Sequence, residues 1–255
     1  MSSRSVEIPI ALQMYSLRDD SKADFAGALR STKEIGYDAV EFAGYYGMSS
    51  SELRKLLDDL GLRAVGSHVG YDQLRDNLEQ VIDYNLEIGA KYIVCPSYNA
   101  DSRDGWVEFA HFLSSVADTC EKSGLTVGYH NHAHELKKIG DEYIFDIIFD
   151  AASDKVVAQL DLGWALYAGV DPVQLLRKYA GRCSLVHVKD FDENNKQTEV
   201  GTGALDLQSV VATCREVGVE WMIIETEQYN MEPIDSVRVG YSNLKRAAKQ
   251  IAQTT

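Results

Sequence analysis

The 255-residue chain is 45% apolar and carries a formal charge of −14, with 25 Lys and Arg against 39 Asp and Glu. That length fits two modest domains or one α/β barrel of about 250 residues. The acidic balance argues against nucleic acid and anionic membranes, which both call for basic surface. Residues 1–7 lack the apolar run of a signal peptide, and no segment approaches the roughly 20 apolar residues that span a bilayer. A soluble, cytoplasmic protein is expected. Cys95, Cys120, Cys183 and Cys214 are widely spaced, without a metal-knuckle pattern, as befits small apolar residues in a reducing compartment.

In chain order, an apolar run over 8–16 leads into a helix over 23–36 whose Phe25, Leu29 and Ile35 suit packing on a sheet. A strand over 37–43 precedes a helix over 50–61, capped by Ser50 or Ser51 and striped by Leu53, Leu56, Leu57 and Leu60. Strand 62–68 is followed by one long helix over 72–89, and strand 91–97 by a helix over 105–124. Strand 126–132 precedes a helix over 141–152. Strand 156–162 precedes a helix over 171–181 that opens on Asp171-Pro172, a good cap followed by proline at the first helical position. Strand 184–190, helix 205–218, strand 221–227 and helix 234–252 complete the chain.

Eight strand–helix units result, with a glycine (Gly36, Gly61, Gly89, Gly124, Gly181, Gly218) where six of the helices stop. No composition shift marks a boundary, so residues 1–255 read as one domain. Eight even units without a glycine-rich nucleotide fingerprint after the first strand predict an α/β fold of the closed (β/α)8 TIM barrel type.

In such a barrel the active site lies at the carboxyl ends of the strands. Those ends carry Gln13 and Tyr15, with Arg18 just beyond; then Glu41, His68, and Ser97 with Tyr98. His130, His132 and Glu135 follow on the fifth strand and its exit. Gln159 and Asp161, His187 and Lys189, and Glu225 and Glu227 come in pairs two apart, pointing the same way. So many ionisable groups on one rim are costly unless they pair or bind a cation. Salt bridges among the glutamates, Lys189 and Arg18 are one explanation. The other is a metal: Glu135, Asp161, His187 and Glu225 form an oxygen-rich, one-nitrogen set suited to one divalent ion, Mn2+, Mg2+, Co2+ or Zn2+.

The fifth strand runs into Tyr129-His130-Asn131-His132-Ala133-His134-Glu135, three of the six histidines within seven residues. Alternation gives Gly128, His130 and His132 one face and Tyr129 and Asn131 the other. With this motif stand Ala11-Leu12-Gln13-Met14-Tyr15-Ser16-Leu17-Arg18, Leu160-Asp161-Leu162-Gly163, Val186-His187-Val188-Lys189-Asp190, Gly201-Thr202-Gly203-Ala204-Leu205-Asp206 and Ile223-Ile224-Glu225. Over nearly its whole length the chain resembles the xylose isomerase-like sugar (phosphate) isomerases and epimerases, in the branch marked by Tyr-His-Asn-His. The resemblance implies metal-ligand roles for Asp161, His187 and Glu225. Many members carry the fourth ligand, a glutamate, on strand five, where this sequence has Gly128. Glu135 is expected to reach back into the space glycine leaves, with His132 as the competing ligand.

The expected function is a divalent-metal-dependent isomerase or epimerase that acts on a sugar or polyol through an enediolate. His130, His132 or the ligand Glu225 would move the proton. Lys189 either neutralises the developing oxyanion or pairs with Asp161 or Glu225. Gln13, Tyr15, Glu41, His68, Asn131 and Trp164 are expected against substrate, although Glu41 alternatively holds Arg18 or Lys189, and Trp164 alternatively joins the core. The segment 201–206 caps the next helix or holds an anion; with no cationic cradle nearby, free sugar is favoured over sugar phosphate. His111 and His134 read as structural. A dehydratase or lyase acting on a keto-sugar, keto-glycoside or inosose is the alternative. An endonuclease IV-type nuclease and a non-catalytic sugar-binding subunit stand behind it. A homo-oligomer is left open.

Overall fold

The computed structural model describes residues 8–254, so the expectation for the segment 1–7 falls outside it. Eight parallel strands close into a barrel. They are β1 (Ile10–Gln13), β2 (Ala39–Phe42), β3 (Arg63–His68), β4 (Tyr92–Cys95), β5 (Thr126–His130), β6 (Val156–Asp161), β7 (Leu185–Val188) and β8 (Trp221–Ile224). Each pairs with its sequence neighbours, and β8 returns to β1 with Ala11 beside Ile223.

Among the described residues ten α-helices surround it, besides a 3-10 turn at Met14–Leu17: α1 (Arg18–Ile35), α2 (Ser50–Leu60), α3 (Tyr71–Asp76), α4 (Leu78–Glu87), α5 (Arg103–Glu121), α6 (Ile144–Ala151), α7 (Leu162–Tyr167), α8 (Pro172–Lys178), α9 (Leu207–Val217) and α10 (Pro233–Thr254). The expected (β/α)8 barrel is the fold found. No described helix is long and apolar enough to cross a membrane. All four cysteines are buried and unpaired.

The strands read as near-continuous apolar runs because both their faces are covered. Leu12, Val40, Ile93, Val127, Leu160, Val186 and Ile224 face outward into the core under the helices. Alternate positions face inward, where Ala11, Ala39, Val65, Tyr92, Val94, Leu185 and Ile223 fill the lower barrel. Fully burying a side chain of this kind is worth about 1.5–3 kcal/mol, so the two apolar layers hold the tube closed. One step further along the strands the inward residues turn polar, and those residues make the site.

Departures from the expected elements are local. The helix expected over 72–89 is broken at Asn77 (φ −135°, ψ 28°), whose side chain donates to Gln73 Oε1. Asparagine offers its neighbours such bonds in competition with the helical ladder. A two-residue hairpin, Lys138–Ile139 with Glu142–Tyr143, precedes α6 and takes the first residues expected in that helix. Helix α7 follows β6 directly, started by Asp161 Oδ1, which accepts from Trp164 N at 2.7 Å. Ser49, rather than Ser50 or Ser51, caps α2 in a reciprocal capping box with Glu52. Gly61, at φ 63°, ends that helix in the left-handed conformation that glycine adopts without a Cβ penalty.

Candidate active site

The strand register assembles the polar layer. His130 lies beside Gln159, Asp161 beside His187, and Gln13 beside Glu41. His130, Asp161, His187 and Glu225 each offer one ligand atom, all within 4.8 Å of one another, and all four residues are buried. His130 Nδ1 is buried without a hydrogen-bond partner, while Asp161 Oδ2 pairs with the Lys189 ammonium at 3.1 Å. Two imidazoles and two carboxylates within reach of one another are the nitrogen and oxygen donors that a divalent cation takes. The donor set therefore fits a divalent ion.

His187 is held from both sides. Its Nδ1 is 3.0 Å from Glu225 Oε2, and its Nε2 is 2.6 Å from Glu41 Oε2. Burial alone would lower its pKa, but Glu41 and Glu225 outweigh that and raise it to about 10. Glu41 is itself locked in place. Gln13 Nε2 donates to its Oε2 at 2.8 Å, Gln159 Nε2 to its Oε1 at 2.6 Å, and His68 Nε2 lies 3.2 Å away. Burial would raise its pKa, yet His68 and His187 hold it far below the usual carboxylate range. A carboxylate fixing the far nitrogen of a ligand histidine is the common way such a ring is oriented.

Lys189 is fully buried beside the same group. Its Nζ is 3.1 Å from both Asp161 Oδ2 and Glu225 Oε2, pairs with Glu227, and sits 4.9 Å from the centre of the Trp164 ring. Burial favours the neutral amine, but the three carboxylates outweigh it and raise the pKa. The ion pairing expected as one reading of Lys189 is thus present.

Above the cluster opens a cavity of about 500 Å3 lined by Tyr15, His68, His130, His132, Glu225 and Glu227, among others. Of the residues expected against substrate, Tyr15 and His68 line it. Gln13, Glu41, Asn131 and Trp164 do not: the first two make the network under His187, and Asn131 Oδ1 accepts from Asp161 N at 3.0 Å, tying β5 to β6. Trp164 packs on Lys189, Phe191 and Tyr167. The pKa values of His130 and His132 are both lowered, chiefly by burial. His132 Nδ1 is buried and unpartnered.

Glu135 is not brought to the cluster. Its Oε1 accepts from Tyr129 Oη at 2.6 Å and its Oε2 from His132 N at 2.8 Å, so it anchors the turn behind β5. The space beside Gly128 is taken by neighbours: a Cβ there would meet Val157 Cγ2 at 3.2 Å and Val94 Cγ2 at 3.4 Å. His130 stands in the fourth position instead. Glu227 was read only as a rim residue, yet it both lines the cavity and pairs with Lys189; its spacing of two from Glu225 was the signal. His134 donates from Nε2 to Tyr98 O, as a structural histidine would. The segment 201–206 wraps the Asp190 carboxylate, which accepts from Gly201, Gly203 and Leu205 N–H groups, and Asp206 caps α9. A groove of about 540 Å3 beside α8 and α9, touching Arg177 and Asp206, shares no residue with this site.

A family model described as xylose isomerase-like TIM barrel matches residues 29–250. The chain belongs to the xylose isomerase-like TIM barrel family. A Geobacillus kaustophilus protein named inosose dehydratase is 27% identical over 245 residues, covering 78% of this chain and 79% of that one. A Parabacteroides distasonis structure described as a sugar phosphate isomerase/epimerase superposes with a TM-score of 0.83 at 23% identity, covering 97% of both chains. A structure described as IOLI protein with a binding zinc atom gives a TM-score of 0.76 at 14% identity, covering 95% of this chain and 99% of that one.

Proposed function

We propose that this barrel is a divalent-metal-dependent enzyme that removes a proton from the carbon beside a carbonyl in a keto or aldo sugar or polyol, forming an enediolate. Its overall reaction would be isomerisation or epimerisation. The observation that carries this reading is the buried group of His130, Asp161, His187 and Glu225, each offering a ligand atom within 4.8 Å of the others, under a 500 Å3 cavity. These four residues would hold the ion. When bound, it would supply Lewis-acid polarisation of the carbonyl and an adjacent hydroxyl.

The chain's own residues account for the proton. With His130 among the donors, His132 is the cavity histidine free to act as base, and burial keeps it in the neutral form that can accept a proton. Lys189, held beside Asp161 and Glu225, places a fixed positive charge near the oxygen that gains charge. Glu41 fixes the His187 ring from behind. Return of the proton to the neighbouring carbon isomerises the sugar, and return from the opposite face epimerises it.

Loss of a β-hydroxyl from the same enediolate would make the enzyme a dehydratase. This second reading is favoured by the 27% identical relative named inosose dehydratase. The shared proton step is tested by His132→Gln. The variant is expected to keep its metal and to lose about 10²–10⁴-fold in solvent-deuterium exchange into substrate, the usual contribution of one positioned base. Unchanged exchange would remove His132 from that role.

A further inference from the structure

We propose that the turn leaving β5 carries a second divalent-cation site, made by His132, His134 and Glu135, and that zinc held there shuts off proton transfer at His132. The site stands on its own geometry; its effect rests on the base role given to His132 above. Each of the three residues offers one ligand atom, all within 4.8 Å of one another. None of them belongs to the group of His130, Asp161, His187 and Glu225, and His132 alone of the three lines the cavity.

Two features of this turn call for a cation. Glu135 is fully buried, yet among the described residues no Lys or Arg is ion-paired with it. Its partners are the Tyr129 hydroxyl, the His132 N–H and the His134 ring. A carboxylate so far from water is normally paired with a cation or bound to a metal. His132 Nδ1 is also buried without a hydrogen-bond partner, a state that costs free energy. A cation held by these side chains would balance the carboxylate and give the imidazole a partner.

The spacing is already that of ligands on one ion. Nitrogen and oxygen ligands stand about 2.0–2.2 Å from zinc, which puts two of them in a tetrahedral shell about 3.4 Å apart. His134 Nε2 lies 3.2 Å from Glu135 Oε1 and 3.1 Å from the Tyr98 carbonyl oxygen. Ligation needs the His134 tautomer with its proton on Nδ1, and the Tyr98 carbonyl then faces the ion as a further donor. Glu135 Oε1 accepts from Tyr129 Oη, and a carboxylate oxygen has room for a second partner. Two imidazoles favour a borderline ion such as Zn2+ over Mg2+. The His132 ring is 5.1 Å from that of His130, so the two sites adjoin without sharing a residue. A neutral imidazole has one lone pair to give, and once zinc holds it His132 cannot accept a proton. The His134 side chain is 33% exposed, so this ion should fill after the buried one and leave on dialysis.

The test is calorimetric titration of Zn2+ into protein already holding one equivalent of Zn2+, alongside deuterium exchange from D2O into a ketose or inosose. The wild type should take a second equivalent. His134→Ala, at a residue absent from both the buried cluster and the cavity wall, should keep the first. It should weaken the second by at least the roughly 10–100-fold that losing even an outer partner of a metal costs. Glu135→Gln, acting on a different ligand, should do likewise. Zinc beyond one equivalent should suppress exchange by the wild type and leave exchange by His134→Ala unchanged. A wild type that stops at one equivalent, or variants that bind the second as tightly, would overturn the site. A second equivalent bound with exchange undiminished would overturn its control of His132. His132→Gln then locates the fault: exchange lost in that variant leaves the base reading standing, and exchange retained removes it. A wild type that exchanges nothing at any zinc level would contradict the enediolate reading and the control of His132 together, while the zinc count still decides the site.

Discussion

Glu135 and its competitor His132 were expected in the fourth place beside Asp161, His187 and Glu225, and the structure brings His130 there. Their surroundings separate them: Glu135 has both carboxylate oxygens engaged behind β5, whereas His130 Nε2 lies 3.9 Å from Asp161 Oδ2. Glu135→Gln is therefore expected to retain metal, while His130→Ala should lose most of it, as read by metal analysis after dialysis. Loss of metal from Glu135→Gln with retention in His130→Ala would reverse the assignment. The sequence could not decide this, because alternation predicts facing only while the strand lasts. β5 ends at His130, and beyond it the turn sends Glu135 to the side of Tyr129. The same limit explains Asn131, which binds the Asp161 backbone, and Gln13 and Glu41, whose bonding partners lie within the barrel layer. Asp161, His187 and Glu225 were legible as neighbours because consecutive parallel strands in register bring equivalent positions together.

At the scale of elements, the strands and most helices were readable from apolar periodicity and from the glycines that stop the helices. What escaped has short-range causes. The break at Asn77 turns on one side-chain bond to Gln73, and α7 is a six-residue helix started by the same Asp161 that serves the cluster. Neither leaves a periodic trace. Caps were easier to read where Asp precedes a helix: Asp171 caps α8 through Val173 N and Gln174 N, and Asp206 caps α9 through Gln208 N and Ser209 N. Asp206→Ala should cost about 1 kcal/mol, or roughly 2–4 °C in Tm for a protein of this size, with metal content unchanged. A thermal shift assay that finds no loss would mean the segment 201–206 is held by Asp190 alone.

For the whole molecule, closure matters at both ends of the tube. The buried network around Glu41 and His187 ties β1, β2, β3, β6, β7 and β8 at the active end. At the other end Glu220 accepts from both Lys91 and Tyr92 at 2.8 Å, linking residues far apart in sequence. Burial would raise the Glu220 pKa, but Lys91 and Tyr92 outweigh it and lower it from 4.5. A depressed carboxyl adds stability that is present above its unfolded pKa and is lost as pH falls through the folded value. The protein should thus lose stability below about pH 4.5, and Glu220→Gln should show a shallower acid slope at Glu220's expense. Its side chain is 44% exposed, so screening keeps the effect within about 0.2–1 kcal/mol. Denaturant midpoints at pH 7 and pH 4 for both proteins would measure it, and equal slopes would dismiss the latch.

Metal and proton transfer together form the centre of the account, and one experiment reaches both. Protein purified without added metal is analysed for metal content, then loaded with Mn2+ and incubated in D2O with ketoses, keto-glycosides and inososes. The account predicts close to one equivalent of divalent metal and deuterium at the carbon beside the carbonyl of at least one substrate, both lost in Asp161→Ala. Absence of bound metal even after loading, or full exchange by a metal-free Asp161→Ala protein, would contradict it.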